Sequence, residues 1–316
     1  MKDGFIKVAA GTPDVQVADC EFNAAEIIKM VREMEAEGAR VMVFPELCIT
    51  AYTCGDLFWQ ENLLEEAKVQ LMRIAEETAD VDAIIFVGLP LEYKGKLYNV
   101  AAGLNHGEIL GFVPKTYLPN YNEFYEARYF TSGEDVDGTV TIRRSEYGLH
   151  HDEEMTDEDV EFGLEAELEA LEEEDSFEEL EEIDEEPDYI DEDETEEFDE
   201  VDVPISSNIL FICQEMPKLK IAAEICEDLW VPNPPSVGHA YHGANLIVNL
   251  SASDEVVGKD SYRKSLVSAQ SARLLCGYIY ATAGEGESTQ DVVYGGHNLI
   301  AENGTILAES RRFVNG

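Results

Sequence analysis

Three residues of this 316-residue chain stand where a buried-type apolar run gives way to a turn. Glu46 follows Val41-Met42-Val43-Phe44-Pro45, Lys115 follows Gly111-Phe112-Val113-Pro114, and Cys226 follows Ile221-Ala222-Ala223-Glu224-Ile225. A carboxylate, an ammonium and a thiol held together have a joint use. The carboxylate takes the proton of the thiol, and the cation stabilises both the thiolate and a tetrahedral oxyanion. Such a set attacks an amide carbonyl, expels ammonia or an amine, and leaves a thioester for water to cleave. Each residue alone has a plainer reading. A buried Cys is usually a small hydrophobe, and a single Glu or Lys at a strand end is usually solvated. The conjunction at three strand ends carries the signal.

The elements that must position these residues follow from apolar periodicity. Strand patterns cover 5–10, 40–44, 83–89, 97–104, 108–113, 208–213, 219–225, 244–250 and 277–282. Helical spacing covers 22–38, where Gly38 ends the run, then roughly 60–78 and 259–276, with a short helix around 236–242. Asn105-His106-Gly107 and Asn303-Gly304 read as hairpin turns, the second within 297–308. The loop 114–130 is rich in Tyr, Asn and Glu. Strands alternating with helices predict a layered α/β sandwich, and the second half repeats the grammar of the first.

Length fits one large α/β domain as well as two, and 45% hydrophobic residues with 9% aromatics supply a substantial core. Charge is the anomaly, with 68 acidic against 21 basic residues and a net charge of −47. Residues 151–200 hold 30 Asp or Glu and no Lys or Arg, so the other 266 positions carry only 17 net negative charges. This balance argues against a nucleic-acid binder, which needs clustered cations, and against docking on an anionic membrane. The acidic stretch, about 145–203, reads as a disordered, solvated surface insertion. Its length is tolerable because loop-closure entropy grows slowly. A sharper reading has it bind a basic partner surface or shield the mouth of the site. Apolar runs such as Ala83–Pro90 are far shorter than the ~20 residues of a membrane span. Cys20, Cys48, Cys54, Cys213, Cys226 and Cys276 form no CxxC pair, and no hydrophobic signal peptide opens the chain. Reduced thiols in a cytoplasm are the expectation.

The segments FPELCITAY (44–52), PKTYLPNYNEFYEARYF (114–130) and EICEDLW (224–230) resemble the three catalytic blocks of the nitrilase superfamily of carbon–nitrogen hydrolases. More narrowly, KVAAGTPDVQVADCEFN near the start, AYTCGDLF (51–58) and NLSASDEVVGKDSYR (249–263) resemble the glutaminase domains of glutamine-dependent NAD synthetases. The likeness covers about 1–142 and 205–316, everything but the acidic insertion. It implies a nitrilase-like α-β-β-α sandwich forming a single amidase domain over 1–316. It also implies Glu46 as general base, Lys115 as oxyanion-stabilising cation and Cys226 as nucleophile, with Glu126 holding Lys115 or the attacking water. For glutamine's α-groups it implies Tyr121, Ser253 and Lys259. Relatives commonly carry an arginine near the last position, and a Lys cannot make the two-pronged carboxylate contact of an Arg; Arg263 is the alternative. The implied activity is hydrolysis of L-glutamine through a cysteine thioester, supplying ammonia for NAD synthesis from deamido-NAD.

No G-x-x-x-x-G-K-[ST] loop occurs, so the resemblance assigns ATP, Mg and deamido-NAD to a synthetase domain absent from these 316 residues, in cis in a longer chain or in trans. This domain itself is expected to need no cofactor and no metal, and to belong to a homo-oligomer. His239 and His242 are spaced H-x-x-H but lack further ligands at metal spacing. Gly284-Glu285-Gly286-Glu287 lacks the third glycine of a dinucleotide fingerprint. Cys48 and Cys54 read as packing residues. Two other functions remain open: a free-standing amidase for another small amide or carbamoyl compound, and an acidic interaction module on a degenerate hydrolase fold.

Overall fold

The computed structural model describes residues 4–143 and 200–316, so the expected disorder of the acidic insertion falls outside the described residues. By packing, the chain divides into a main unit of 1–140 and 202–316 and a second unit of 141–201. All the candidate site residues belong to the main unit.

The first sheet collects β1 (Val8–Ala10), β2 (Val41–Val43), β3 (Ile84–Tyr93), β4 (Lys96–Asn105) and β5 (Glu108–Pro114), followed by β7 (Glu200–Ser206) and β6 (Asp137–Arg143). β1, β2 and β3 run parallel, whereas β3, β4 and β5 form an antiparallel meander. The second sheet has the order β13-β12-β11-β10-β9-β8, with β8 (Phe211–Ile212), β9 (Lys220–Ile225), β10 (Leu246–Ser251), β11 (Gly277–Thr282), β12 (Leu299–Glu302) and β13 (Thr305–Glu309). Its central strands β9, β10 and β11 are parallel, in the register Ala222↔Ile247↔Tyr278.

The period-2 rule decides what each strand contributes. Ile221, Ala223 and Ile225 of β9 join Val248 and Leu250 of β10 against Val41, Val43, Phe86, Ala101 and Val113 of the first sheet. The alternate residues Ala222, Ile247, Tyr278 and Tyr280 pack with Val267 on the outer side of the second sheet. Val267 lies in the helix α4 (Lys259–Leu274), which follows α3 (Pro235–Tyr241). On the first sheet, α2 (Glu61–Glu77) lies against β3 and β5 and pairs with α1 (Cys20–Ala36). The result is the nitrilase-like α-β-β-α sandwich with mixed sheets.

Most expected elements form within a few residues of their predicted bounds. α1 starts at its cap, where Asp19 Oδ1 accepts the Phe22 N–H at 3.0 Å, and ends before Gly38, whose φ is +83°. The Asn303-Gly304 turn has both residues at positive φ, +48° and +87°, as a tight hairpin demands. Three expectations need correction. Residues 200–203, counted with the acidic insertion, start strand β7. Strand β6 at Asp137–Arg143 went unforeseen because Val140 and Ile142 are its only large apolar residues. Residues 52–59, read only as part of a motif, form 3-10 turns whose backbone N–H groups are capped from far away.

Gly88 in β3 lies directly under the turn that carries Glu46. A Cβ there would sit 2.3 Å from Leu47 N and 2.8 Å from Pro45 O, both backbone atoms that cannot step aside cheaply. We therefore expect Gly88→Ala to cost about 1–3 kcal/mol in urea unfolding and to lower activity beyond the loss of folded protein, because the turn must move.

Candidate active site

Glu46, Lys115 and Cys226 leave the C-terminal ends of β2, β5 and β9, and the face-to-face packing of the two sheets brings those ends together. Backbone geometry at the turns is strained. Leu47 (φ +52°), Ala51 (φ +67°) and Cys226 (φ +44°) occupy the left-handed region without being glycine. Such conformations cost of order 1–3 kcal/mol each and persist only where the surroundings impose them.

Lys115 is fully buried and its Nζ donates to Glu46 Oε1 at 2.5 Å and to Glu126 Oε1 at 2.7 Å. Burial works against its charge, but Glu126 and Glu46 together outweigh burial and hold the ammonium well above its usual pKa. Two of its three donors are thus engaged with carboxylates, and the third is available to a developing oxyanion. Glu46, also fully buried, accepts from the Asn99 side-chain amide at 2.6 Å through Oε1 and from the Ala252 N–H at 2.9 Å through Oε2. Glu126 Oε1 also accepts from the Tyr52 hydroxyl at 2.7 Å. Its Oε2 is buried with no partner among the described residues. Burial, offset in part by Lys115 and reinforced by Glu46, pushes Glu126 up to about 7.

Cys226 is buried and electrostatically coupled to Glu46, Lys115 and Glu126. Burial first, and Glu46 second, push its thiol far up, while Lys115 and a hydrogen bond with Ser251 pull the other way. The resting thiol is therefore protonated and needs a base at the moment of attack. Glu46 is a carboxylate in the same closed cluster. Together the groups can form an activated sulfur nucleophile, a fixed cation for an oxyanion, and a carboxylate that shuttles one proton.

The other expected residues divide. Tyr121 is 50% exposed, and its hydroxyl donates to both oxygens of half-buried Glu227, at 3.0 and 2.8 Å. The Lys259 ammonium pairs with Asp254, 5.3 Å from the Trp230 ring centroid and 5.7 Å from that of Phe124. Its side chain is 17% exposed, and its charge is felt at half-buried Glu227. Ser253 is buried, and its Oγ accepts from the Arg263 guanidinium at 3.2 Å. Arg263, the alternative cation, is itself fully buried. It donates to Glu255 at 2.5 Å and to the Asp254 carbonyl at 3.0 Å, which commits its fork to the protein. A cavity of about 130 Å³ opens on the Glu126 side, walled by Tyr52, Phe58, Phe124, Tyr125, Ser288 and Tyr294.

Other roles became visible only in three dimensions. Asp228, two residues after Cys226, accepts from Ile225 N at 2.9 Å, Tyr117 N at 2.7 Å and Thr116 N at 3.4 Å. One carboxylate thereby ties the lysine segment to the cysteine turn. Glu287, from the rejected Gly-Glu-Gly-Glu run, accepts from the N–H groups of Tyr52 (2.7 Å) and Thr53 (3.0 Å). It anchors the segment that carries Tyr52. Asn99 had a sequence signal, being the one polar residue in the apolar middle of LYNVAAGL. Cys48 and Cys54 are buried free thiols. His239 is buried and held down to about 4 by burial and by nearby His242. Among the described residues, no group of three or more His, Cys, Asp or Glu is placed to hold a metal ion. Nor is any described helix long and apolar enough to cross a membrane.

Comparison with known proteins agrees with this architecture. The family model for carbon–nitrogen hydrolases matches residues 7–316. A curated relative from Mycobacterium tuberculosis, a glutamine-dependent NAD(+) synthetase, is 34% identical over 313 residues, covering 99% of this chain. The chain spans only 38% of that relative's length. The crystal structure of a glutamine-dependent NAD(+) synthetase from Cytophaga hutchinsonii superposes with a TM-score of 0.71 at 25% identity, covering 97% of this chain and 40% of the other. An amidase from Nesterenkonia sp. shares the fold at 16% identity with a TM-score of 0.64, covering 100% of this chain and 89% of the amidase.

Asp228→Asn turns an acceptor into a donor facing backbone N–H groups. It should lower stability by about 1–3 kcal/mol in urea unfolding, the scale of buried N–H groups left without an acceptor. Burial pushes Asp228 up to about 8 from an ordinary 3.8, so the folded chain keeps a proton that the unfolded chain releases. Its contribution to stability falls as pH rises through that window. Unfolding measured from pH 4 to 9 should show that part of the slope flattened in Asp228→Asn.

Proposed function

The chain belongs to the carbon–nitrogen hydrolase family, and from that membership we propose that it is a cysteine glutaminase serving NAD synthesis. The observation that carries the chemistry is the buried Lys115 ammonium bonded at once to Glu46 and Glu126, in electrostatic contact with Cys226. The choice of glutamine rests on the relatives, which are glutamine-dependent NAD(+) synthetases.

In this reading Glu46 takes the Cys226 proton as sulfur attacks the side-chain amide carbon of L-glutamine. The oxyanion gathers on the third N–H of Lys115. Glu46 returns the proton to the leaving nitrogen, ammonia departs, and a γ-glutamyl thioester remains. Water then adds to the thioester with Glu46 or the free oxygen of Glu126 as base, and glutamate and the thiol are restored. Proton count closes: glutamine and water give glutamate, ammonia and one proton, which together are glutamate and ammonium. Tyr121, Ser253 and Lys259 serve the α-end of the substrate. Lys259, shared with Asp254, faces the α-carboxylate, and Glu227 beside Tyr121 takes the α-ammonium. Burying either group without a partner would cost several kcal/mol, which is why the substrate must present both.

The reading assigns no cofactor to this domain. ATP, Mg and deamido-NAD belong with a synthetase domain, in cis or in trans, that consumes the ammonia. A homo-oligomer and a cytoplasmic setting complete the proposal; the six free thiols support the latter.

The test is ammonia release from L-glutamine by the chain, alone and with a synthetase partner. Cys226→Ala should reduce release by at least about a thousandfold, and Tyr121→Phe should raise KM more than it lowers kcat. Analogues lacking either α-group should be poor substrates. Turnover of simple amides at rates equal to glutamine would replace this reading with a general amidase. Full activity in Cys226→Ala would remove the nucleophile.

A further inference from the structure

Asn99 lies in the middle of β4, on neither the lysine nor the cysteine segment, yet its side chain reaches the centre of the site. Its Nδ2 donates to Glu46 Oε1 at 2.6 Å, and both residues are fully buried. Its Oδ1 is buried without a partner among the described residues. The polar function of this amide is therefore exerted on Glu46 alone. An unpaired buried carbonyl is unfavourable, and a residue needed only for packing would be better apolar. The Asn99 main chain serves the other charge: its carbonyl accepts the Lys115 N–H at 2.8 Å.

We propose that Asn99 is a positioning residue that holds the Glu46 carboxylate in place, so that it can accept the thiol proton. The proposal rests on the reading of Glu46 as the base for Cys226. The need for such a donor follows from the charge balance. Lys115 is divided between Glu46 and Glu126, so one cation serves two carboxylates. The other titratable neighbours of Glu46 are unhelpful to its charge. Glu126, Glu227 and Glu287 are like-charged when ionised, and Cys226, Tyr52 and Tyr294 add no positive charge. Asn99 and the Ala252 N–H are neutral donors that stabilise the anion without adding a charge that would compete for the thiolate.

The test reads Glu46 through Cys226 without requiring any particular substrate. Alkylation of Cys226 by iodoacetamide, with Cys226→Ala as the blank, is followed against pH in the wild-type chain and in Asn99→Leu, which fills the same space without hydrogen bonding. The acid limb of the alkylation profile should move up by about one pH unit or more in Asn99→Leu. The rate at neutral pH should fall about ten- to a hundredfold, the weight of one hydrogen bond to a charged group. Asn99→Asp, nearly isosteric and placing a second acid against Glu46, should move the limb further in the same direction. It also provides the answer if Asn99→Leu folds poorly. Where glutamine is turned over, the kcat/KM profile should shift in parallel. Superimposable alkylation profiles in folded variants overturn the proposal. A shifted alkylation profile with no glutamine turnover in the wild type would support the role of Asn99 while the glutaminase reading fails, so the two are separable.

Discussion

A single ammonium held out of water between two carboxylates is the constraint around which this protein is arranged. Lys115 has no exposed surface, and its partners Glu46 and Glu126 are almost as hidden. Removing water from three ionic groups is costly, and the cost is recovered only when geometry is close and every remaining lone pair is answered. The cluster has two potential negative charges for one positive. Burial first, with Glu46 adding to it, pushes Glu126 to about 7 and holds the neighbouring thiol up. A site with this balance is poised to move one proton and to accept one more negative charge on a substrate oxygen.

The fold meets the constraint by letting strand ends, rather than loops, carry the charges. β2, β5 and β9 deliver Glu46, Lys115 and Cys226, while the start of the loop after β10 supplies the Ala252 N–H and β4 supplies the Asn99 amide. Strands packed in two sheets at native density have little freedom, so these three side chains are held by the same apolar contacts that stabilise the domain. The turns that follow pay with left-handed backbone at Leu47, Ala51 and Cys226. Two further carboxylates brace those turns through backbone N–H groups. Asp228 joins the cysteine turn to the segment after Lys115, and Glu287 holds the segment of Tyr52, which in turn bonds Glu126.

Outside this centre, polar groups become less buried toward the mouth. Tyr121 and Glu227 meet at a half-exposed position, and Lys259 lies between aromatic faces with Asp254 as its partner. In the proposed glutaminase reading, this gradient would let the reacting amide enter first and leave the charged end of the substrate near water. Arg263, one helical turn beyond Lys259, is consumed by the packing of α4 against the sheet edge: its guanidinium bonds Glu255, Ser253 and the Asp254 carbonyl.

The three candidate residues that the fold brings together were legible in the sequence because they depend on local pattern. An apolar run of strand length followed by a reactive side chain predicts both the strand and the exit point of that side chain, and Glu46, Lys115 and Cys226 each end such a run. Hairpins with Gly at positive φ were legible for the same reason, whereas β6, with only Val140 and Ile142 as large apolar residues, was not. Which cation would be fully buried and which partly exposed could not be read, since the neighbours the folded chain places beside Lys259 and Arg263 decide it. The same holds for Asn99 and Asp228. The Asn99–Glu46 bond joins residues 53 positions apart, Asp228 and Tyr117 lie 111 apart, and the Ala252–Glu46 bond spans 206. Local periodicity determines where a strand ends and what stands there. The partner that fixes a buried charge is decided only when two sheets close on one another, because until then every such group is satisfied by water.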